Sequence, residues 1–460
     1  MKRIITTFLV IALIIISLTA CEKKPDYDVY IWQSKGEMAD ALEELVDNYE
    51  NETGKKVKVI SNRASEDHMG PLRAEMNKRD MPTVYSIQGQ RELEEWLGGG
   101  FVADLTDWSF ADEVAFGKGG ISRDGKLYGV PYNIEGYGFI YDEKMLTELG
   151  LTELDIKSLR DGSFEEFEEF VVSVDQWING QDVSGKWAKI NEAKKEGELE
   201  NVDSVIGFPG KAAWVYGDHL VNIPFVYEFG TQDKALVAET IDFTYANQYK
   251  AILDLQINFS KEGFSNDLLQ NDYDEQAKIK FGGGEVFFIQ QGNWAYGEIN
   301  DVNPDKAMRL SFIPLKVPTT AGDVTIPENH PDSMPVFAPN YWAVNGKVSS
   351  DLQEEAKAFI EWMYTSDIGK DFVVNKFNFI PAVKGFESSD LSSMYSLGLS
   401  VMDYVEREKA LDGVFMAMPG GWSMNELGNV LQGSYITSGK QEDFEAAIDH
   451  SIQKWEELRK

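Results

Sequence analysis

The sequence predicts an α/β fold whose sheets are built largely from parallel strands. The apolar segment 28–32 indicates a buried strand, and the apolar residues from Met38 to Tyr49 recur three or four positions apart, as on one face of a helix. Residues 56–60 then indicate a second strand, so the chain opens with a βαβ unit. A length of 460 residues is typical of two or three domains.

Strands and helices continue to alternate along the rest of the chain. The Asp124-Gly125 pair predicts a hairpin turn, and Ser163 is a candidate helix cap. The charged segment 177–201 is expected to form surface helix. Further elements expected are strands at 83–87 and 286–289, an extended segment at 310–318, and helices at 92–97, 352–363 and 444–455.

The charge and the rare residue types exclude several function classes. The chain has 77 acidic residues against 43 Lys and Arg, a net charge of -34. Such a surface repels phosphate backbones, so no nucleic-acid partner is predicted; the plainer reading of the acidity is solubility. Cys21 is the single cysteine and the four histidines are scattered, so no intramolecular disulfide can form and no zinc cluster or other cofactor is predicted.

The first 21 residues have the pattern of a secretory signal. A short basic start precedes an apolar run at 4–20, and small residues lead into Cys21. The ending Leu-Thr-Ala-Cys resembles the bacterial lipobox, which implies cleavage after residue 20, lipidation of Cys21 and a polar tether at 21–27. An uncleaved membrane anchor is the alternative, although the run is slightly short for a bilayer. The mature protein is therefore expected outside the cytoplasm, held by lipid to the outer face of the cell membrane.

Several segments, in this order, resemble one known family. They are VYIW (29–32), ETGKKV (52–57), RDMPTV (79–84), GGFVADL (99–105), DGKLYGVPY (124–132), YDEK (141–144), FGGG (281–284), GNW (292–294), AKAFI (356–360) and IPA (380–382). Together they resemble the family 1 extracellular solute-binding proteins of ABC importers, the group that contains maltose-binding protein. The resemblance covers nearly all of the mature chain, and the charged segment 177–201 departs from it.

The resemblance implies a two-lobed periplasmic-binding-protein fold of type II, with a ligand cleft between lobes joined by hinge strands. The first lobe would comprise 28–133 and 316–380, and the second 134–315 and 381–460, with crossings near 132–133, 314–318 and 381. It also implies the function. A carbohydrate, expected to be an oligosaccharide, would be captured by hinge closure and delivered unchanged to the permease subunits of the importer by a monomeric binding protein.

A sugar has apolar C–H faces and a rim of hydroxyls, so aromatic rings beside amides and carboxylates are expected in its cleft. Such groups lie beyond the carboxyl ends of strands. The aromatic candidates are Trp32, Trp214 and the resemblance-supported Trp294 and Trp422, with Asp218 beside Trp214. Packing in the core is the alternative for each tryptophan.

The polar candidates also lie near predicted strand ends or in the first crossing. They are Glu37, Gln88, Gln90, Asn133, Glu135 and Asn293. The two glutamines have an alternative role in capping the next helix, and Glu37 in beginning one. Asn133 and Glu135 have an alternative role in bonding the hinge itself.

Two other classes of function compete with import. A glycoside hydrolase would also be rich in acids and aromatics, but it needs two carboxylates at a fixed separation. The sequence contains no Gly-x-Ser-x-Gly, P-loop or His-Glu-x-x-His motif, so no catalytic residue is assigned. A binding protein for a peptide, metal or polyamine, or a partner of a sensor, is the second alternative, although residues 271–274 lack the pattern of a calcium loop.

Overall fold

The computed structural model describes residues 25–62, 69–114 and 120–460. In this part of the chain the strands form two six-stranded sheets and a small hairpin. Each large sheet is covered by helices, which gives two α/β lobes. The signal segment 1–20, Cys21 and the beginning of the tether lie outside the described residues. No described helix combines the length and the apolar character needed to cross a membrane.

The first lobe is built on a sheet in the order β2-β1-β3-β13-β5-β4. Its strands are β1 Val29–Gln33, β2 Val57–Ser61, β3 Val84–Ile87, β4 Ile121–Arg123, β5 Lys126–Pro131 and β13 Tyr341–Val344. Strand β1 pairs in parallel with β2 and β3, which confirms the opening βαβ unit, whereas β13 runs antiparallel to β3 and β5.

The helices of the first lobe pack against this sheet and against one another. They are α1 Ala39–Thr53, α2 Met69–Met76, α3 Gly89–Gly98, α12 Ser350–Thr365 and α13 Asp367–Asp371, followed by a π-helical turn at Phe372–Lys376. Helix α1 buries Leu42, Leu45, Val46 and Tyr49, the positions that the spacing predicts. Gly54, with φ of 71°, ends that helix in the left-handed conformation that glycine adopts at low cost.

The second lobe is built on the order β14-β12-β6-β8-β7, with β9 also paired to β6. Its strands are β6 Glu135–Asp142, β7 Ser204–Gly207, β8 Val286–Gly292, β9 Leu310–Ile313, β12 Met334–Phe337 and β14 Ala410–Leu411; the separate hairpin comprises β10 Thr320–Ala321 and β11 Val324–Thr325. Strand β6 is buried at all eight positions because it has neighbours on both sides and helices on both faces.

Most of the helices belong to the second lobe. They are α4 Glu143–Glu148, α5 Glu153–Asp161, α6 Phe164–Ile178, α7 Val221–Phe229, α8 Gln232–Val237, α9 Ala246–Asn258, α10 Tyr296–Val302, α11 Pro304–Ala307, α14 Ser388–Leu391, α15 Ser396–Glu406, α16 Asn429–Gln432, α17 Tyr435–Ser438 and α18 Gln441–Arg459. π-Helical turns at Val215–Leu220, Glu275–Gly282 and Trp422–Gly428 interrupt them. Ser163 caps α6 in a capping box with Glu166, as its position predicts.

The chain changes sheets in three places. It leaves the first sheet after Pro131 and enters the second at Glu135. The chain returns to the first sheet later than the expected crossing at 314–318. Strand β12 still pairs with β6 in the second sheet, and the chain reaches the first sheet only at Tyr341. The expected boundary at 316 therefore assigns 316–337 to the wrong sheet; the prolines there punctuate the hairpin connection of the second lobe. A bridge between Ile134 and Ile380 joins the first and third crossings.

The charged segment after α6 is not the expected surface helix. It consists of 3-10 turns at Gly185–Glu192 and Gly197–Leu199, and Trp187 and Ile190 are buried within it. Trp187 packs against Phe170 of α6 with ring centroids 4.8 Å apart. The glycines Gly180, Gly185 and Gly197 have positive φ and break the helix, so the charges line a folded loop.

Candidate functional site

Five strands of the first lobe bring their ends to one edge of the sheet. Gln33 at the end of β1 pairs with Ser61 at the end of β2, while Tyr341 at the start of β13 pairs with both Ile87 and Pro131. This edge is also where the chain crosses into the second lobe. It is therefore the first wall of the cleft.

A buried ion pair connects this wall to the hinge. Lys35 Nζ lies 2.6 Å from Glu135 Oε1, and the two side chains are 9% and 7% exposed. Asn133 donates from Nδ2 to the same carboxylate oxygen over 3.2 Å, and the backbone of Lys35 donates to Gln33 Oε1 over 2.6 Å. Asn133 and Glu135 therefore take part in hinge bonding, the alternative role considered for them, and the charge of Glu135 is neutralised from the first lobe.

Gln88 and Gln90 lie where β3 turns into α3. Gln88 occupies the cap position of α3, but its side chain makes no capping bond, and its backbone N–H donates to Glu92 Oε2 over 2.7 Å. Gln90 donates from Nε2 to the Ser122 carbonyl oxygen over 3.2 Å. Neither glutamine side chain therefore caps the helix, and both are half-buried beside the wall.

Several polar atoms along this wall are buried without a hydrogen-bond partner among the described residues. These atoms are Gln33 Nε2, Ser61 Oγ, Asn62 Nδ2, Gln90 Oε1, Asn133 Oδ1 and Asn340 Oδ1. Sequence analysis missed Gln33, Ser61, Asn62 and Asn340. Ser61, Asn62 and Gln33 end or follow strands, and that position is the signal that could have found them. We call this set the amide edge.

The second lobe presents a cluster of aromatic side chains at the matching end of its sheet. Trp294 follows β8, and its ring lies 5.1 Å from that of His219 and 6.5 Å from that of Trp214. Trp214 also meets Tyr273 edge to face at 5.9 Å. Both tryptophans are partly exposed, whereas His219 is buried and stacks on Tyr137 of β6 at 4.4 Å. We call Trp214, Trp294 and Tyr273 the aromatic wall.

The position of the Trp294 ring is set by its neighbours in sequence. The ring lies directly over Gly292, where an added Cβ would be 2.1 Å from a ring carbon. Its Nε1 donates to Gln291 Oε1 over 3.1 Å, and Gln291 in turn donates to Gln276 Oε1 over 2.7 Å. The Gly-x-Trp spacing therefore fixes the indole orientation as well as its position.

Asn293 is bonded to the hinge. Its Oδ1 accepts the backbone N–H of Gly136 over 2.9 Å, and its Nδ2 donates to the Tyr395 hydroxyl over 2.7 Å. The residue is 3% exposed. Asn293 thus ties the end of β8 to the start of β6 and supports the neighbouring Trp294.

Two titratable side chains sit on the π-helical turn Val215–Leu220 beside this wall. Burial raises the pKa of Asp218 to about 6, although a hydrogen bond with Ser423 and the charge of Arg91 act in the opposite direction. Burial lowers the pKa of His219 to about 3, so this ring is neutral at ordinary pH. Its Nδ1 has no partner among the described residues.

Two predicted tryptophans are core residues in the structure. Trp422 is 0% exposed, stacks on Phe225 at 5.6 Å, and donates from Nε1 to the Ser451 carbonyl oxygen over 2.6 Å. Trp32 is 1% exposed because it lies within β1, between β2 and β3, and packs among the apolar residues of the first lobe. Core packing, the alternative considered for both, therefore describes them correctly, and neither is retained as a ligand contact.

The backbone of Glu37 forms part of a 3-10 turn at Gly36–Met38, close to the first wall. The prediction for its side chain falls outside what the structure describes.

A separate surface groove of about 460 Å³ lies on the second lobe, between the start of β9 and α15. Its lining residues all belong to the second lobe, so it is distinct from the cleft between the lobes. Three of its serine hydroxyls already have partners, Ser311 with Ser400 and Ser396 with the Ala307 carbonyl oxygen. In the described residues no three His, Cys, Asp or Glu side chains are grouped to hold a metal ion.

Residues 44–397 match the family described as bacterial extracellular solute-binding protein. The chain belongs to this family, whose members are binding proteins. No curated protein matches the sequence.

Solved structures with the same fold include sugar-binding members. RafE from Streptococcus pneumoniae has been solved in its apo form and in complex with raffinose. The raffinose complex superposes on this chain with a TM-score of 0.63 at 19% identity, and the match covers 94% of this chain and 100% of RafE. A chitin oligosaccharide binding protein gives a TM-score of 0.66 at 17% identity, over 94% and 99% of the two chains. A sugar transporter protein from Bacillus licheniformis in complex with stachyose gives 0.64 at 18%, over 94% and 100%.

Proposed function

We propose that this chain is the substrate-binding subunit of an ABC importer and that it captures a neutral oligosaccharide between its lobes. The bound sugar is delivered unchanged to the permease subunits, and the protein works as a monomer. Membership in the solute-binding family and the sugar-bound neighbours of the same fold support the class of function.

The amide edge is the observation that carries the choice of ligand. A buried polar atom without a partner costs about 1–3 kcal/mol, so such atoms gathered at one wall favour a ligand that bonds them. The edge offers both donors, such as Gln33 Nε2 and Asn62 Nδ2, and acceptors, such as Asn133 Oδ1 and Asn340 Oδ1. A sugar hydroxyl donates and accepts, and therefore matches such a mixed set.

The charges around the amide edge favour a neutral sugar over an acidic one. Lys35, a buried cation beside the edge, is bonded to Glu135 at 2.6 Å. A carboxylated sugar would compete for Lys35 and leave Glu135 buried with its charge unpaired, which is costly. The partly exposed rings of Trp214 and Trp294 supply the opposite, apolar contact for the C–H faces of a sugar ring.

A thermal-shift panel tests this proposal. It would compare raffinose, stachyose and a chitin oligosaccharide with an oligogalacturonide of similar length, an acidic oligosaccharide that carries a carboxylate on each sugar ring. A ligand that binds only the folded state raises the melting temperature. We expect a rise with at least one neutral member and none with the acidic one. A rise with the acidic sugar alone, or with no member, would contradict the proposal.

The membrane attachment forms a further part of the proposal. Cys21, at the end of the lipobox-like segment, would carry the lipid that holds the mature protein on the outer face of the cell membrane. We expect Cys21→Ser to move the protein from the membrane fraction to the soluble fraction of cells that express it. Retention of the variant in the membrane fraction would refute lipidation as the anchor.

A further inference from the structure

One segment of the second lobe reaches across to the first lobe beside the cleft. The segment 413–421, which we call the clasp, contains the 3-10 turn Val414–Ala417. Within the second lobe it is held by Phe415 N–H donating to Asn222 Oδ1 over 3.0 Å and by Arg459 Nη2 donating to the Ala417 carbonyl oxygen over 2.7 Å. The Phe415 ring also meets the rings of His219 and Phe337 at 5.5 and 5.0 Å.

The clasp meets the first lobe at Gly89, the first residue of α3. A Cβ added to Gly89 would lie 3.0 Å from the Met416 carbonyl oxygen and 3.5 Å from Met416 Cβ. Four residues further along, an added Cβ at Gly420 would lie 3.3 Å from Cδ of Arg91. A glycine on each side therefore leaves room for the two lobes to come close at this point.

We propose that the clasp closes the cleft and that Gly89 is the positioning residue that sets how far the lobes can close on a ligand. This inference rests on the proposed function and deepens it. The turn from β3 into α3 carries Gln88 and Gln90 of the first wall, and Phe415 packs on His219 beside the aromatic wall. The contact between Gly89 and Met416 therefore requires the two walls to face each other across the cleft, so a side chain at 89 would hold the lobes apart and weaken ligand retention.

A substitution at Gly54 is a matched control for the same substitution at Gly89. Gly54 and Gly89 have φ of 71° and 74°, but a Cβ at Gly54 has no atom within 4 Å. Asn adopts this backbone region more readily than most residues, so Gly89→Asn and Gly54→Asn carry similar local strain. We expect Gly89→Asn to weaken the binding of the panel's neutral sugar about tenfold or more, and Gly54→Asn to leave it unchanged. Equal affinities of the two variants would overturn the proposal.

An engineered disulfide tests the contact without any ligand. The 3.5 Å separation of the Cβ positions of residues 89 and 416 is within the range of disulfides. In a Cys21→Ser background, which has no other thiol, Gly89→Cys with Met416→Cys should oxidise to an intramolecular disulfide seen by non-reducing electrophoresis. The control pair Gly54→Cys with Met416→Cys should not. Failure of the first pair to oxidise would overturn the clasp.

The same variant separates the clasp from the proposed function. If the disulfide forms and then slows exchange of bound sugar until reductant is added, the clasp gates the cleft. If the disulfide forms and exchange is as fast as in the reduced protein, the clasp does not gate the ligand and the proposal fails. If the wild type itself binds none of the sugars, the proposed ligand class is wrong, and the closing contact is still decided by whether the disulfide forms.

Discussion

Trp294 and Trp422 show how far a residue type can be interpreted from its sequence context. Both follow a glycine by one or two positions, and both resemble positions that line a sugar cleft. Trp294 is partly exposed because Gly292 lets its ring fold back over the end of β8. Trp422 begins a π-helical turn that packs against α18, where Trp455 meets it edge to face at 5.0 Å. The last helix of the chain, and not the local sequence, determines that burial.

The two tryptophans give opposite expected outcomes on replacement by alanine. Trp294→Ala should weaken binding of the panel's neutral sugar about tenfold to a hundredfold and change the stability little, because it removes a partly exposed contact surface. Trp422→Ala should lower the free energy of unfolding by about 3–5 kcal/mol, because it leaves a cavity in the core. Calorimetric titration and urea denaturation of both variants measure these effects. An unchanged affinity for Trp294→Ala would remove that residue from the site.

The polar residues of the site illustrate a further limit at the residue scale. Asn133, Glu135 and Asn293 were predicted as ligand contacts, and the structure places all three in bonds at the hinge, although Asn133 Oδ1 has no partner in the described part of the chain and belongs to the amide edge. Gln33 and Asn340, which were not predicted, have amide atoms with no partner among the described residues. Position at a strand end identifies candidates, but the sequence does not reveal which side chains already have partners.

Among the elements, the opening βαβ unit and the long amphipathic helices could be predicted well, because the apolar residues that a helix buries recur every three to four positions in the sequence. The structure of segment 177–201 could not be predicted in this way. Glycines with positive φ break the helix there, and the buried Trp187 anchors the resulting loop to the core. The π-helical turn Val215–Leu220 was also not predicted. It places Asp218 and His219 beside the aromatic wall, where burial shifts the pKa of each in the direction that favours its neutral form.

The π-helical turn makes the stability of the protein depend on pH through His219. Its pKa is about 3 in the folded state against 6.5 ordinarily, so between these values the unfolded state binds one more proton. His219 therefore contributes a loss of up to about 1.4 kcal/mol per pH unit as the pH falls below about 6.5. Asp218 contributes in the opposite sense below about pH 6, because burial raises its pKa, so the contribution of His219 is measured as a difference between the wild type and a variant. His219→Phe keeps a ring on Tyr137 and removes the proton site. Urea denaturation between about pH 4.5 and 6.5 should show that the free energy of unfolding rises with pH less steeply in His219→Phe than in the wild type, by up to about 1.4 kcal/mol per pH unit. Identical slopes in the two proteins would contradict a buried, neutral His219.

At the scale of the whole molecule, three crossings, a buried ion pair and the clasp join two lobes around the cleft. The resemblance predicted the two lobes, and the structure places the return crossing after β12 rather than near 314–318. Nothing in the sequence of 316–337 distinguishes a strand of one sheet from a strand of the other, because pairing partners are set by the packed lobes. The amide edge and the aromatic wall belong to different lobes, so one ligand can contact both only when the lobes are closed.

Small-angle X-ray scattering of the wild-type protein, with and without the neutral oligosaccharide that the panel identifies, tests the central claim most directly. A ligand that bridges the two walls stabilises the closed arrangement, so the radius of gyration should fall on saturation. A matched titration with the oligogalacturonide should leave it unchanged. A sugar that raises the melting temperature without reducing the radius of gyration would contradict capture by closure of the two lobes.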